Sequence, residues 1–194
     1  MIKANITGIG RYTPPLVTNE EIISAYGKKA SILAQKIHHK TRYWAIDVKT
    51  GKTDLTNTDM ACEASKQALL MAGKDANDID LIIYSTATPD YPLPPCFIIL
   101  QEKLGIKKCT GFDIRSGCSG FGTALITAQQ FISNGNAKAA LVVGSDLNTT
   151  RGSFHYLNTE MNKVPLKILY NMMLFGDAAG AVVLEASADK EYGI

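Results

Sequence analysis

Phe112-Asp113-Ile114, followed by Arg115-Ser116-Gly117-Cys118-Ser119-Gly120-Phe121, decides the fold. A short strand-like run ends at Ile114 and a glycine-rich turn follows it. From roughly Cys118 to Ser133 the apolar residues Phe121, Leu125, Ala128 and Ile132 then recur at helical steps. The next apolar run, Ala139 to Val143, is again of strand type. Strand, helix and strand in that order predict a βαβ unit, and such units build a mainly parallel sheet with helices packed on it.

The same alternation extends outward in both directions. Leu81-Ile82-Ile83-Tyr84 is a continuous apolar run of strand length, and Pro94-Pro95 opens a helix through Cys96, Ile98, Ile99 and Leu104 to Gly105. Before it, Met60, Ala61, Ala64, Ala68 and Met71 predict a helix from about Thr58 that stops at Gly73. Ile2 to Ile9 reads as a first strand, closed by Gly8, Gly10 and Pro14-Pro15. Thr18-Asn19-Glu20-Glu21 has the form of a capping box, so a helix carrying Ile22, Ile23 and Tyr26 starts there. Lys40 to Asn57 is rich in Thr, Lys and Asp and reads as a surface excursion. Residues 147–174 break the rhythm and read as a second excursion or a lid, before a last strand from Ala179 to Leu184. The fold class is therefore α/β: a mixed, mainly parallel sheet with βαβ units and packed helices.

With 194 residues, 46% of them hydrophobic, the chain is long enough for one sizeable domain or half of a larger one. Twenty Lys and Arg stand against 18 Asp and Glu, and a formal net charge of +2 supplies little field to attract nucleic acid or a membrane surface. No apolar run approaches the roughly 18 residues of a membrane span and no signal peptide is visible, so the expectation is a cytoplasmic protein with no membrane span. Cys62, Cys96, Cys109 and Cys118 lack the close pairs of a zinc site, so no metal is expected and each reads first as a free, small buried hydrophobe. Gly8-Ile9-Gly10 lacks the third glycine of a dinucleotide fingerprint, and Pro14-Pro15 stands where a phosphate-binding helix would begin. Gly117-Cys118-Ser119-Gly120 is not a nucleophile elbow, because Phe121 takes the place of the closing glycine.

Cys118 differs from the other three by its place after a strand and at the expected first turn of a long helix. Unsatisfied N–H groups and the helix macrodipole favour negative charge there, which makes a thiolate accessible. Gly117, Gly120 and Gly122 leave backbone uncovered, so that a thioester on a pantetheine-sized arm can approach. On spacing alone, a structural cysteine in a glycine-rich helix start and a catalytic one stand about level.

Three blocks, in order, go further. Asp113-Ile114-Arg115-Ser116-Gly117-Cys118-Ser119-Gly120-Phe121, Ala139-Ala140-Leu141-Val142-Val143-Gly144-Ser145-Asp146 and Phe175-Gly176-Asp177-Ala178-Ala179-Gly180-Ala181-Val182-Val183-Leu184 resemble the β-ketoacyl-acyl-carrier-protein synthase III family. The opening Ile6-Thr7-Gly8-Ile9-Gly10-Arg11-Tyr12-Thr13-Pro14 and the segment Ala87-Thr88-Pro89-Asp90-Tyr91-Pro92 also resemble it. The resemblance covers nearly the whole chain. It implies a thiolase-like fold, of which residues 1–194 are the N-terminal half, with the C-terminal half outside this chain. It also implies an acyltransferase in which Cys118 takes an acyl group from a thioester and malonyl-carrier protein then condenses on it, in fatty acid or related acyl and polyketide biosynthesis. The His and Asn partners of the family's nucleophile come from the C-terminal half. No cofactor is implied, since acyl-coenzyme A or an acyl-carrier protein is the substrate. The implied assembly is a homodimer.

The resemblance makes Arg42, Trp44, Tyr91 and Phe175 candidate substrate-binding residues. Where the family carries Thr-Gly-Ile-Arg-x-Arg, this chain has His39-Lys40-Thr41-Arg42-Tyr43-Trp44, which keeps Arg42 and leaves the acyl donor open between coenzyme A and a carrier protein. His38-His39-Lys40 with Arg42 could hold phosphates, against a solvated face. Trp44 could stack on adenine, against a buried anchor. His155 could act as a substitute base, against a surface histidine. Tyr91 resembles a position that reaches the partner subunit's acyl pocket, against ordinary interface packing. Two other classes stay in play: a non-catalytic partner subunit or degenerate scaffold, and a generic α/β small-molecule binding module.

Overall fold

The computed structural model describes residues 2–50, 52–151, 164–187 and 193. Its strands are β1 (Lys3–Tyr12), β2 (Leu16–Thr18), β3 (Thr41–Tyr43), β4 (Leu81–Ser85), β5 (Thr110–Ile114), β6 (Ala139–Asp146) and β7 (Ala178–Ser187). The helices are α1 (Asn19–Ala34), α2 (Asn57–Ala72), α3 (Cys96–Leu104), α4 (Gly120–Ser133), α5 (Asn148–Arg151) and α6 (Leu166–Leu174). The chain divides into two compact units, and the second is contributed by two insertions, 13–55 and 147–178, into the first.

The first unit holds a five-stranded sheet in the order β1-β7-β6-β4-β5. β4 pairs in parallel with both β5 and β6, as βαβ units require, while β1 runs antiparallel to β7. Every residue of β4 is buried, which explains why its sequence is a continuous apolar run instead of an alternating one. Leu81 and Ile83 of β4 join Ala140 and Val142 of β6 and Ala124, Ala128 and Ile132 of α4 in one core. Tyr84, pointing to the opposite face, donates its hydroxyl proton to Asn57 of α2, so helices cover both faces. Gly8 and Gly10 let β1 lie directly on α2: a Cβ at these positions would stand 2.0 Å from the Ala68 carbonyl oxygen and 1.9 Å from that of Ala64.

The second unit contains the antiparallel pair of β2 with β3, which flank α1 in the chain, and the helices α1, α5 and α6. Its core gathers Ile22, Tyr26, Trp44, Ile46, Leu169 and Met172, among others. α1 starts with the expected capping box on Thr18 and Glu21 and is kinked at Gly27, whose φ of 63° is the left-handed region open to glycine.

Two expectations are corrected. Lys40 to Asn57 is not a surface excursion throughout, because β3 is paired and Arg42, Trp44 and Ile46 are buried. Of the segment 147–174, read as an excursion or lid, residues 152–163 lie outside the described residues, and in the remainder α6 opens after Pro165 and buries Leu169, Met172 and Met173. The long helix starts at Gly120 and not at Cys118, because Gly117 at φ 52° tightens the turn into a short 3-10 segment, Gly117–Ser119. Among the described residues no helix is long and apolar enough to cross a membrane, and no group of three or more His, Cys, Asp or Glu is placed to hold a metal ion.

Candidate active site

Cys118 stands four residues beyond the end of β5, in the 3-10 turn that feeds α4. Both sides of this turn are tied down. On the β5 side, the Asp113 carboxylate accepts the backbone N–H groups of Cys96 at 2.8 Å and Phe97 at 3.0 Å, capping α3, and meets Arg115 Nη2 at 3.3 Å. Pro95 gives α3 no side-chain cap of its own, so a strand residue does that work. On the α4 side, Gly120 abuts β4, and a Cβ there would fall 2.1 Å from Ser85 Oγ. Ser119 Oγ donates to the Ser116 carbonyl at 2.9 Å, closing the turn, and puts no side chain over the first N–H groups of α4.

The four cysteines separate cleanly. Cys62 and Cys96 are buried, Cys109 is intermediate and Cys118 is exposed. Burial pushes the thiols of Cys62 and Cys109 up, and raises that of Cys96 to about 11. Cys118 is thus the cysteine that a bulky electrophile can reach.

Tyr91, 55% exposed, follows Asp90, a buried residue whose carboxylate takes the N–H groups of Asn57 at 2.8 Å and Thr58 at 2.9 Å and so caps α2. The sequence by itself assigns no structural role to Asn57, Asp90 or Asp113. Asn57 sits in a capping-box context, Thr56 to Asp59, and this is the one local signal that marks the position.

The remaining candidates lie in the second unit. Arg42 is buried and donates Nε at 3.1 Å and Nη2 at 3.0 Å to the Met173 carbonyl, near the end of α6. His39 Nε2 donates to the same oxygen at 2.9 Å. Desolvation lowers the Arg42 pKa, against the opposing charge of Glu20. Trp44 is 1% exposed and donates Nε1 to the Phe175 carbonyl at 3.1 Å, so in this structure its ring is an anchor with no face open for stacking. The side chain of Phe175 is half exposed. Beyond it, Gly176 passes close to the backbone of Tyr43, and buried Asp177 receives the N–H groups of Ala45 at 2.7 Å and Thr149 at 3.0 Å. Burial raises the Asp177 pKa and these donors pull it back. A cleft of about 820 Å³ in this unit is lined by Glu20, Ser24, Trp44 and Lys49, among others. His38 is exposed, and His155 lies outside the described residues.

Comparison with known proteins places this geometry. A β-ketoacyl-[acyl-carrier-protein] synthase III from Ehrlichia canis (strain Jake) is 37% identical over 100% of this chain and 56% of its own length. The family model for 3-oxoacyl-[acyl-carrier-protein] synthase III matches residues 112–194. The chain belongs to the β-ketoacyl-[acyl-carrier-protein] synthase III family. Among solved structures, the synthase III from Aquifex aeolicus VF5 is 32% identical with a TM-score of 0.75, covering 98% of this chain and 55% of that one. The tetronic acid condensing enzyme AbyA1 is 30% identical with a TM-score of 0.86, covering 96% and 56%. The expected thiolase-like α/β fold is therefore the fold of this chain. The chain spans about half the length of the curated relatives it matches, and corresponds to their N-terminal half.

Proposed function

We propose that this chain supplies the acyl-accepting half of a β-ketoacyl-acyl-carrier-protein synthase III, a cytoplasmic acyltransferase that needs neither metal nor cofactor. Cys118 sulfur attacks the carbonyl of an acyl thioester carried by coenzyme A or a carrier protein. The new carbon–sulfur bond forms as the donor's thiolate leaves, and that thiolate takes up the proton lost by Cys118. Malonyl-carrier protein then loses carbon dioxide, and the resulting carbanion attacks the Cys118 thioester, giving β-ketoacyl-carrier protein and restoring the cysteine. The observation that carries this reading is Cys118 itself: the one exposed cysteine of the four, held in a turn braced by Asp113 and Gly120. Support comes also from the amino end of α4, 14 residues long, which begins two residues after the sulfur and favours nearby negative charge.

Decarboxylation develops enolate charge that positioned donors stabilise by several kcal/mol. The family resemblance assigns those donors, a His and an Asn, to a C-terminal half. A homodimer accords with the sheet edges. At the β1 edge the N–H groups of Ile9 and Arg11 are taken by Met71 sulfur and Gln67 Oε1, whereas β5 ends the sheet with half-buried Phe112 and Ile114.

The test is condensation of an acyl-coenzyme A with malonyl-carrier protein, followed by product mass. The complete native protein is expected to form β-ketoacyl-carrier protein, Cys118→Ala to form none, and residues 1–194 alone to form none. Condensation that survives Cys118→Ala overturns the proposal. Absence of product from the native protein favours the non-catalytic partner subunit.

A further inference from the structure

The two-stranded sheet of the second unit leaves one edge open. Leu16 stands opposite Tyr43, Val17 opposite Arg42 and Thr18 opposite Thr41. Just outside this ladder Trp44 N–H donates to the Pro15 carbonyl at 3.0 Å and Asn19 N–H to the Lys40 carbonyl at 2.9 Å. Hydrogen-bonded pairs alternate along an antiparallel ladder, so Val17 bonds across to Arg42, whereas Leu16 and Thr18 turn their N–H groups away from β3. The Thr18 N–H is taken by Glu21 Oε2 at 2.7 Å. The N–H and carbonyl of Leu16 have no partner among the described residues, and the residue is 51% exposed. On the opposite edge the outward carbonyl of Tyr43 is used, since it accepts Asp177 N–H at 2.8 Å. The unpaired edge is therefore that of β2.

This edge borders the cleft of about 820 Å³. Pro15, Leu16 and Val17 all line it, as three consecutive residues do along the edge of a strand, because their side chains alternate between its faces. Ile46 and Val48 add apolar wall. Charge is divided across the cleft. Glu20 and Glu21 stand in the first turn of α1, just past the carboxyl end of β2. Lys49 and Lys52 stand on a turn closed by Asp47 N–H to the Lys52 carbonyl at 3.1 Å; it follows Trp44, the partner of Pro15 at the amino end of β2. None of these four side chains forms an ion pair among the described residues. We propose that the β2 edge binds an extended segment of a partner protein by strand addition. The segment runs antiparallel to β2, with a basic residue toward Glu20 and Glu21, an apolar residue opposite Leu16 and an acidic residue toward Lys49 and Lys52. Its N–H donates to the Leu16 carbonyl, and its carbonyl accepts the Leu16 N–H. This inference stands apart from the reading of Cys118.

The experiment is a calorimetric titration of the complete native protein with the peptide acetyl-Lys-Val-Leu-Val-Glu-amide, whose order of charges matches an antiparallel segment. Two altered peptides are compared with it. One is methylated on the central leucine nitrogen and cannot donate to the Leu16 carbonyl; the other, acetyl-Gln-Val-Leu-Val-Gln-amide, lacks both charges. Each is expected to bind about tenfold more weakly. The double variant Lys49→Glu/Lys52→Glu changes two exposed side chains and so preserves the fold. It is expected to bind the first peptide about tenfold more weakly and to recover that loss with acetyl-Lys-Val-Leu-Val-Lys-amide, a rescue that general damage to the protein does not produce. Binding of none of the peptides at millimolar concentration, the result if other residues of the complete protein cover the edge, overturns the proposal. Equal binding of the methylated and unmethylated peptides, or a loss in the double variant without the rescue, overturns it as well. Acylation of Cys118 is a separate measurement, and its failure leaves this test unaffected.

Discussion

Gly120→Ala puts the bracing of the Cys118 turn to the test. A Cβ at residue 120 would stand 2.1 Å from Ser85 Oγ, more than 1 Å inside ordinary contact at 3.4 Å, while the Ser85 Cβ would stand at 3.4 Å. Ser85 is buried at 5% exposure in β4, so relief requires rotating its hydroxyl or moving the start of α4. Overpacking of this kind costs about 1–3 kcal/mol. The backbone at Gly120, φ −60° and ψ −41°, is ordinary helix, so alanine returns about 1 kcal/mol of helix propensity and the net loss is about 1 kcal/mol. Two further variants isolate the overlap. Gly122→Ala meets nothing within 4 Å and should gain up to about 1 kcal/mol. Ser85→Ala removes the clashing oxygen, so the cycle of Gly120→Ala with Ser85→Ala should show a coupling of about 1–3 kcal/mol. Urea denaturation followed by circular dichroism reads the native protein, the three single variants and the Gly120→Ala/Ser85→Ala double variant. A Gly120→Ala protein as stable as Gly122→Ala, with no coupling to Ser85→Ala, would refute the packing argument.

At Gly10, alanine would drive Cβ to 1.9 Å from the Ala64 carbonyl and 2.7 Å from the Ala68 nitrogen, backbone atoms with no rotamer to escape into; a loss of about 3 kcal/mol or more is expected in the same assay, and a wild-type midpoint would contradict it. With iodoacetamide near pH 8, Cys118 should be alkylated first, because Cys96, with its pKa near 11, is thiolate in only about one molecule in a thousand; peptide mass mapping showing Cys62 or Cys96 labelled as fast would count against the burial argument. Asp177 tests linkage: a carboxyl whose pKa burial raises contributes stability that is fully present below its unfolded pKa and is lost as pH rises through its folded pKa. The stability advantage of the native protein over Asp177→Asn should therefore shrink as pH climbs through and above the usual carboxylate range, and an advantage that grows would show the opposite sign.

Much of the framework was legible because it is local. The capping box at Thr18, the glycine stops at 73 and 105 and the apolar run of β4 each declare an element within a few residues. What escaped were features whose cause lies far along the chain. Trp44 and Arg42 sit in a polar stretch, and only their pairing with the carbonyls of Phe175 and Met173, some 131 positions away, shows why they are buried. The glycines of Gly8-Ile9-Gly10 serve a close approach to α2, a use that composition cannot distinguish from a turn. At the site, the turn glycines and Cys118 could be picked out, whereas Asp113 and Asn57 act on partners brought together by the sheet.

The most direct measurement is the site of acylation. The complete native protein, incubated with an acyl-coenzyme A and digested without reductant, is expected to carry the acyl mass on the Cys118 peptide and nowhere else, with the adduct discharged when malonyl-carrier protein is added. An adduct on Cys62, Cys96 or Cys109 with Cys118 left free, or a Cys118 adduct that malonyl-carrier protein never discharges, would contradict the account.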